Sequence, residues 1–323
     1  MLKRKQIGYN MSLLRKILVA FRGRHRYHYN DIVVRHSIFD AQQLIKDYLS
    51  SDKPCMIARF GSVELQSIVD YLYPATFKNI LPFVKGKIPS WGYAPSTIRT
   101  MRINAGFFPP TKKMLNRFGN LMLNSMKEVD MIGSWRLEEE CVVDMMPNAI
   151  RVPLPDLEPY YFSRPWTTAL EGKKVLIIHP FEDSICKQYT IYDKLFADKQ
   201  MTPQYDLLTI KAVQSIAGNK PEEYNDWFEA LDWMKSEVDK LDFDIAIIGC
   251  GAYGFPLAAY IKQIGKKAIH LGGAVQYLFG IRSNAAEQNP QLKLLMNEYW
   301  VYPSTEETPK GIEKVEDSRY WKK

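Results

Sequence analysis

Residues 242–273, Asp242-Phe-Asp-Ile-Ala-Ile-Ile-Gly-Cys-Gly-Ala-Tyr-Gly-Phe-Pro-Leu-Ala-Ala-Tyr-Ile-Lys-Gln-Ile-Gly-Lys-Lys-Ala-Ile-His-Leu-Gly-Gly273, decide the fold. An apolar run, Phe243 to Gly249, has the length of a buried strand. It leads through Gly249-x-Gly251-x-x-Gly254 into helical spacing from Gly254 to Ile264, then into a second apolar run, Lys267 to Leu271. A glycine-rich turn between strand and helix lets a phosphate approach backbone N–H groups, and the helix N-terminus adds its positive dipole end. The competing explanation for the glycines is close packing of helix on strand.

The same alternation extends outward. Lys174 to His179 and Tyr205 to Ile210 read as strands, while Asp183 to Phe196 and Pro221 to Leu241 read as helices. Strands alternating with helices predict an α/β fold, a Rossmann-like parallel sheet with helices on both faces. Upstream, the spacing predicts helices over Ser37 to Leu49, Ser62 to Tyr71, Thr97 to Asn104 and Thr111 to Val129, with a strand over Cys55 to Phe60. Five prolines between Met145 and Trp166 read as a connection. The organisation expected is therefore a basic arm (1–30), an N-terminal α/β part (31–166) and a Rossmann-like nucleotide-binding part (167–323), with one continuous domain as the alternative.

The formal charge of +7 belongs largely to the arm, which carries eight Lys or Arg and no acid and leaves about −1 for the rest. That distribution argues against a nucleic-acid-binding surface on the fold. Met11 to Phe21 places apolar residues among these cations, a pattern suited to peripheral contact with an anionic membrane or to a solvated leader. The apolar window Phe243 to Ile261 holds three glycines and a proline and is read as strand plus helix, not as a membrane span. Cys55, Cys141, Cys186 and Cys250 form no C-x-x-C pair, so a reduced, cytoplasmic protein without a disulfide framework is expected.

Four further groups are candidates for a site. A dinucleotide fold places an acid at the end of the strand after the glycine turn, whereas here that strand ends His270-Leu-Gly272-Gly273-Ala-Val-Gln276, which disfavours NAD and favours a mononucleotide or sugar nucleotide. His270 is either a structural imidazole or a group facing a diphosphate. His179-Pro-Phe-Glu-Asp-Ser184 ends another strand, and its hydroxyl and first-turn amides suit an anion or a plain cap. Arg59-Phe-Gly61-Ser62-Val-Glu64 ends the first strand. Its two charges demand either each other or a ligand, with Arg59 clamping a diphosphate and Glu64 holding a metal or an acceptor hydroxyl. Trp91, Tyr93, Phe107 and Phe108 are candidates for an acceptor floor.

Arg59-Phe60-Gly61-Ser62-Val63-Glu64 resembles the R-F-G-D-x-E element of the GT-D-type glycosyltransferases, a Rossmann-like bacterial family first defined as a domain of unknown function. The resemblance extends through Asn104-Ala-Gly-Phe-Phe-Pro109, His179-Pro-Phe, Ile248 to Pro256 and His270 to Gln276 with Phe279-Gly280. It implies a GT-D-like fold and transfer of a sugar from a nucleotide-sugar donor, a UDP-sugar by preference, to a glycan or lipid-linked acceptor in surface polysaccharide or glycoconjugate synthesis. Arg59, Glu64 and His270 are the catalytic candidates. The nucleotide-sugar contacts expected are Gly61, Ser62, His179, Ser184, Gly249, Gly251, Tyr253, Gly254, Gly272, Gly273 and Gln276. The family's Asp is Ser62 here, which puts Mn2+ or Mg2+ binding at Glu64 in doubt, because a divalent ion prefers more than one carboxylate. The alternatives are another Rossmann-type enzyme using NAD or S-adenosylmethionine, and a non-catalytic nucleotide-sugar binder.

Overall fold

The computed structural model describes residues 40–316 and 318–322, together with Leu13; the rest of the basic arm lies outside the described residues. Asp40 opens the first helix by accepting from Gln42 and Gln43 N–H groups. The chain then runs α1 (Ala41–Ser50), β1 (Cys55–Arg59), α2 (Ser62–Leu72), α3 (Ile80–Val84), α4 (Pro95–Ile103) and α5 (Lys112–Met126). Next come β2 (Met131–Ser134), β3 (Ile150–Pro153), β4 (Lys174–His179), α6 (Glu182–Tyr189), β5 (Asp206–Lys211) and α7 (Trp227–Val238). The remainder is β6 (Ile245–Ile248), α8 (Gly254–Gln263), β7 (Lys267–His270) and the short helices α9 (Val275–Leu278), α10 (Asn284–Gln288) and α11 (Pro290–Leu295).

Seven strands form one sheet in the order β3-β2-β1-β7-β6-β4-β5, and every pairing is parallel. Alternation within each strand divides the core. Met56, Ala58, Leu176, Ile178, Ala246 and Ile248 face the layer of α2, α4, α5, α7 and α8. Cys55, Ile57, Val175, Ile177, Ile245 and Ile247 face α1, α6, α9 and the buried Trp166, Trp300 and Trp321. Both faces are covered, so the strands read as continuous apolar runs. The Rossmann-like α/β arrangement expected from residues 242–273 is present.

Three differences from the sequence reading have local causes. β2 and β3 were not anticipated: each has only four residues, and β3 lies inside the proline-rich stretch. Pro153 is tolerated because β3 is an edge strand, where a missing N–H breaks no second ladder. The helix expected to reach Phe196 stops at Tyr189 and is followed by a 3-10 turn, Tyr192–Lys194. The one expected over Pro221 to Leu241 starts at Trp227, where Asp226 caps it through the N–H groups of Phe228 and Glu229. Phe243 to Ile261 is divided between β6 and α8, and among the described residues no helix is long and apolar enough to cross a membrane.

The topology fixes where a ligand can enter. The connection after β4 leads outward to β5, whereas that after β6 leads inward to β7. The carboxyl ends of these adjacent strands therefore diverge, which opens a crevice at the switch point.

Candidate functional site

A cavity of about 600 Å³ occupies this edge, lined by the ends of β1, β4, β6 and β7 and by the C-terminal segment around Glu316 to Trp321. The volume suits a nucleotide-sized ligand.

Arg59 closes β1 and reaches the cavity. Its Nε donates to the Phe60 carbonyl at 3.1 Å, and its guanidinium lies 5.0 Å from the centre of the Trp135 ring. Trp135 is itself held by Nε1 donating to the same carbonyl at 3.0 Å. Gly272, at φ +62°, leaves room for the guanidinium; a Cβ there would come within 3.2 Å of Arg59 Nη1. No ion pair with a carboxylate of a described residue forms within 4 Å. The structural explanation for Arg59 and Glu64, an ion pair between them, is therefore not realised.

Glu64 instead folds back over the first turn of α2 and accepts from its own backbone N–H. A Cβ at Gly61 would lie 2.0 Å from Glu64 Oε2, so glycine at that position permits the fold-back. Burial pushes the Glu64 carboxyl above the ordinary glutamate range; its own N–H and the Arg59 charge oppose the rise, and Glu316 adds to it. Gly61 is the N-cap of α2 and supplies no side-chain cap, leaving the helix N-terminus and Ser62 on the cavity wall.

The two histidines are buried, and burial depresses each to about 3, with the Arg59 charge contributing at His270. Both are neutral at physiological pH, in opposite tautomers. His179 Nδ1 accepts from Phe181 N–H at 3.0 Å, so its proton is on Nε2. His270 Nδ1 faces the Ile248 carbonyl at 3.3 Å, and since a carbonyl can only accept, Nδ1 carries the proton. His270 Nε2 is consequently an acceptor. In this tautomer it can accept a hydrogen bond from a ligand hydroxyl and has no proton to offer a diphosphate oxygen.

The three motif glycines divide by cause. A Cβ at Gly249 would meet the Gly272 carbonyl, the His179 ring and Val275 at 2.6–2.9 Å, and one at Gly254 would meet the His270 ring at 2.2 Å. Those two glycines are required by packing. Gly251 has φ +58° and nothing within 4 Å of a built Cβ, yet it lines the cavity. Of the three, it is the one left open to a ligand.

Tyr253 is part of the wall: its ring stacks on Trp227 at 4.6 Å and its hydroxyl meets Ser215 Oγ at 3.3 Å. Gln276 is buried in the wall with its amide donating to the Ile281 and Arg282 carbonyls. Gly273 receives the Tyr320 ring, which a Cβ would strike at 2.5 Å.

Ser184 lies outside the cavity lining. Its Oγ donates to Glu307 and its N–H donates to the same carboxylate at 3.0 Å, with Ser304 N–H at 3.2 Å. The start of α6 does hold an anion, but the anion is the chain's own. Trp91, Tyr93, Phe107 and Phe108 are also absent from the lining. Phe107 and Phe108 are buried, and Phe107 packs against Phe118, Trp227 and Phe228 in the core, so neither of these two is open to an acceptor.

Several lining residues escaped the sequence reading. Glu158, from the proline-rich stretch, accepts from Tyr160 and is raised by burial, with the Arg59 charge opposing. Arg136 pairs with Glu138 at 2.8 Å and Arg319 with Glu316 at 3.8 Å. Among the described residues no three His, Cys, Asp or Glu side chains converge to hold a metal ion. Beside Glu64, Ser62 offers a neutral hydroxyl, a poor donor set for Mn2+ or Mg2+.

The chain was compared with protein families, curated proteins and solved structures. No match was found in any of the three.

Proposed function

We propose that this protein is a glycosyltransferase that takes a nucleotide-sugar, a UDP-sugar by preference, and passes the sugar to a glycan or lipid-linked acceptor on the cytoplasmic side of a membrane. The reading rests on Arg59: a guanidinium at the carboxyl end of a central strand, with no carboxylate partner among the described residues, facing a 600 Å³ cavity. A planar fork of this kind matches a diphosphate. The α2 N-terminus and the Gly251 turn add backbone N–H groups, and His179 Nε2 adds a neutral donor.

In this scheme Glu64 takes the proton of the acceptor hydroxyl as its oxygen bonds to the anomeric carbon. The bond from that carbon to the diphosphate breaks, and Arg59 stabilises the charge that develops on the leaving group. His270 Nε2 accepts from a sugar or ribose hydroxyl. A carboxyl raised by burial is a stronger base once ionised, which favours Glu64 for the proton transfer.

A thermal-shift screen of UDP-, GDP-, CMP- and dTDP-sugars, with and without Mn2+, tests the reading. At least one is expected to raise the melting temperature, since a ligand at about 100 times its Kd stabilises by about 2.7 kcal/mol. Arg59→Ala should abolish the shift while leaving the unliganded melting temperature within about 2 °C of wild type, because the side chain makes no ion pair. If no sugar nucleotide shifts the wild type, the reading falls. Tight binding without turnover would favour the non-catalytic alternative.

A further inference from the structure

The charge after the arm sums to about −1, but it is not evenly spread. Residues 71–127 contain nine Lys or Arg and no Asp or Glu. All nine (Lys78, Lys85, Lys87, Arg99, Arg102, Lys112, Lys113, Arg117 and Lys127) are exposed, and none forms an ion pair with a described residue.

Between α2 and α4 this basic stretch carries an apolar tip. Phe77 is 93% exposed and Leu81 58% exposed, beside Lys78, Lys85 and Lys87. The tip is built, not frayed. Asn79 Nδ2 donates to the Pro74 carbonyl at 2.9 Å, Trp91 Nε1 to the Thr76 carbonyl at 3.0 Å, and Lys87 N–H to the Pro82 carbonyl at 2.9 Å. Val84 is buried beneath it. A fixed loop that presents a phenylalanine and a leucine to water, with three lysines and no acid in its own sequence, has the chemistry of an interfacial anchor.

We infer that residues 77–87 dock the protein on an anionic lipid bilayer, with Phe77 and Leu81 entering the headgroup boundary and the lysines meeting lipid phosphates. Charge complementarity selects this occupant. A second copy of the chain docked across a two-fold axis would bring the same lysine-bearing loop against itself, and like charges would repel. A nucleic acid would satisfy the lysines but gives an aliphatic leucine nothing to bury against. The bilayer rewards both. The inference does not depend on the sugar-transfer reading.

Vesicle pelleting alone is not decisive, because the arm's eight cations can also hold the chain to anionic lipid. The experiment therefore reads depth at the tip in the full chain. Phe77→Cys in a Cys141→Ser, Cys186→Ser background is labelled with a polarity-sensitive fluorophore and mixed with phosphatidylglycerol or phosphatidylcholine vesicles. Lys199→Cys serves as the remote control. A blue shift at position 77 on phosphatidylglycerol alone, with none at position 199, supports the inference. Phe77→Ser with Leu81→Ser should keep the wild-type melting temperature and lower the vesicle partition coefficient by about tenfold or more.

A label at position 77 that stays aqueous on vesicles that pellet the protein overturns it. So does a dimer, seen by sedimentation velocity without lipid, that Phe77→Ser with Leu81→Ser dissolves. Equally decisive against it would be a nucleic-acid gel shift removed by Lys78→Glu, Lys85→Glu and Lys87→Glu, with the label at position 77 remaining aqueous on phosphatidylglycerol vesicles.

Discussion

Glu64 sits where two demands conflict: the start of its own helix favours the ionised carboxyl, and burial in the cavity wall favours the neutral one. Burial is the larger effect, so the pKa is raised. The sign of its contribution to stability follows. Near pH 4 and below, the carboxyl is protonated in both folded and unfolded chains and costs nothing; as pH rises through the folded pKa, the folded protein must ionise a poorly solvated group and loses stability. Glu64→Gln should therefore melt about 1–3 °C above wild type at pH 7–8, with the gain vanishing near pH 4 in calorimetric scans. In the proposed reaction the same variant should lose about 100-fold or more in turnover, as a removed general base does. The wild-type rate should fall on its acid side at a pH above the ordinary glutamate value of 4.5. Much of this was legible: an Arg and a Glu flanking a glycine at the end of an apolar strand announce costly charges. What the sequence could not show was that Glu64 turns back over Gly61 and leaves Arg59 without a carboxylate, since that depends on Trp135 and Gly272, far away in the chain. Nor could it separate the three glycines of the turn. The pattern is the same whether a glycine accommodates the His270 ring, as Gly254 does, or stands open to the cavity, as Gly251 does.

At the scale of elements, the start of α6 shows how a correct principle can meet an unexpected partner. Ser184 and the first-turn amides were expected to take a ligand anion, and they take Glu307 from a loop more than 100 residues later. That carboxylate also accepts from Ser304 N–H, while the Glu307 carbonyl accepts from Trp321 Nε1 at 3.2 Å. The contact therefore ties the C-terminal segment to the sheet edge, with Tyr320 carried onto Gly273. Glu307→Ala would leave the Ser184 N–H and hydroxyl without their acceptor and leave the Ser304 N–H only its 3.3 Å contact with Ser184 Oγ. A loss of about 2–4 kcal/mol is expected, read as a lower urea midpoint. An ordinary exposed cap would cost about 1 kcal/mol, so a small loss would mean that water replaces Glu307 and the segment is only loosely held. The elements that sequence missed, β2 and β3, are those whose identity comes from pairing. Met131-Ile-Gly-Ser134 is too short to show a period, and it is a strand because β1 offers Ile57, Ala58 and Arg59 as partners.

At the scale of the molecule, the expected division at residues 166 and 167 falls between β3 and β4, yet the sheet continues across it. β1 from the first part pairs with β7 from the second through Cys55 with Lys267, Met56 with Ala268 and Ile57 with Ile269. A chain cut at that point would leave β7 as a bare edge in the middle of an apolar sheet, exposing Ala268 and Ile269, both fully buried in the intact chain. The layer of α2, α4 and α5 would also be lost from one face. An exposed, flat, apolar parallel edge of this kind pairs with other chains. Residues 167–323 expressed alone are therefore expected to aggregate or remain unfolded, despite holding the glycine turn and four of the seven strands. The full chain should unfold in urea in one transition, with tryptophan fluorescence and far-ultraviolet circular dichroism coincident. Two separated transitions, or a soluble 167–323 fragment with a cooperative melt, would show that the halves are independent units. The cavity would then be an interface between them, since Arg59 and Glu64 come from one half and His179, Gly251 and His270 from the other. In a single cooperative sheet, their relative positions are instead set by the strand register from Arg59 to His270. That register gives the cavity a fixed geometry before any ligand arrives.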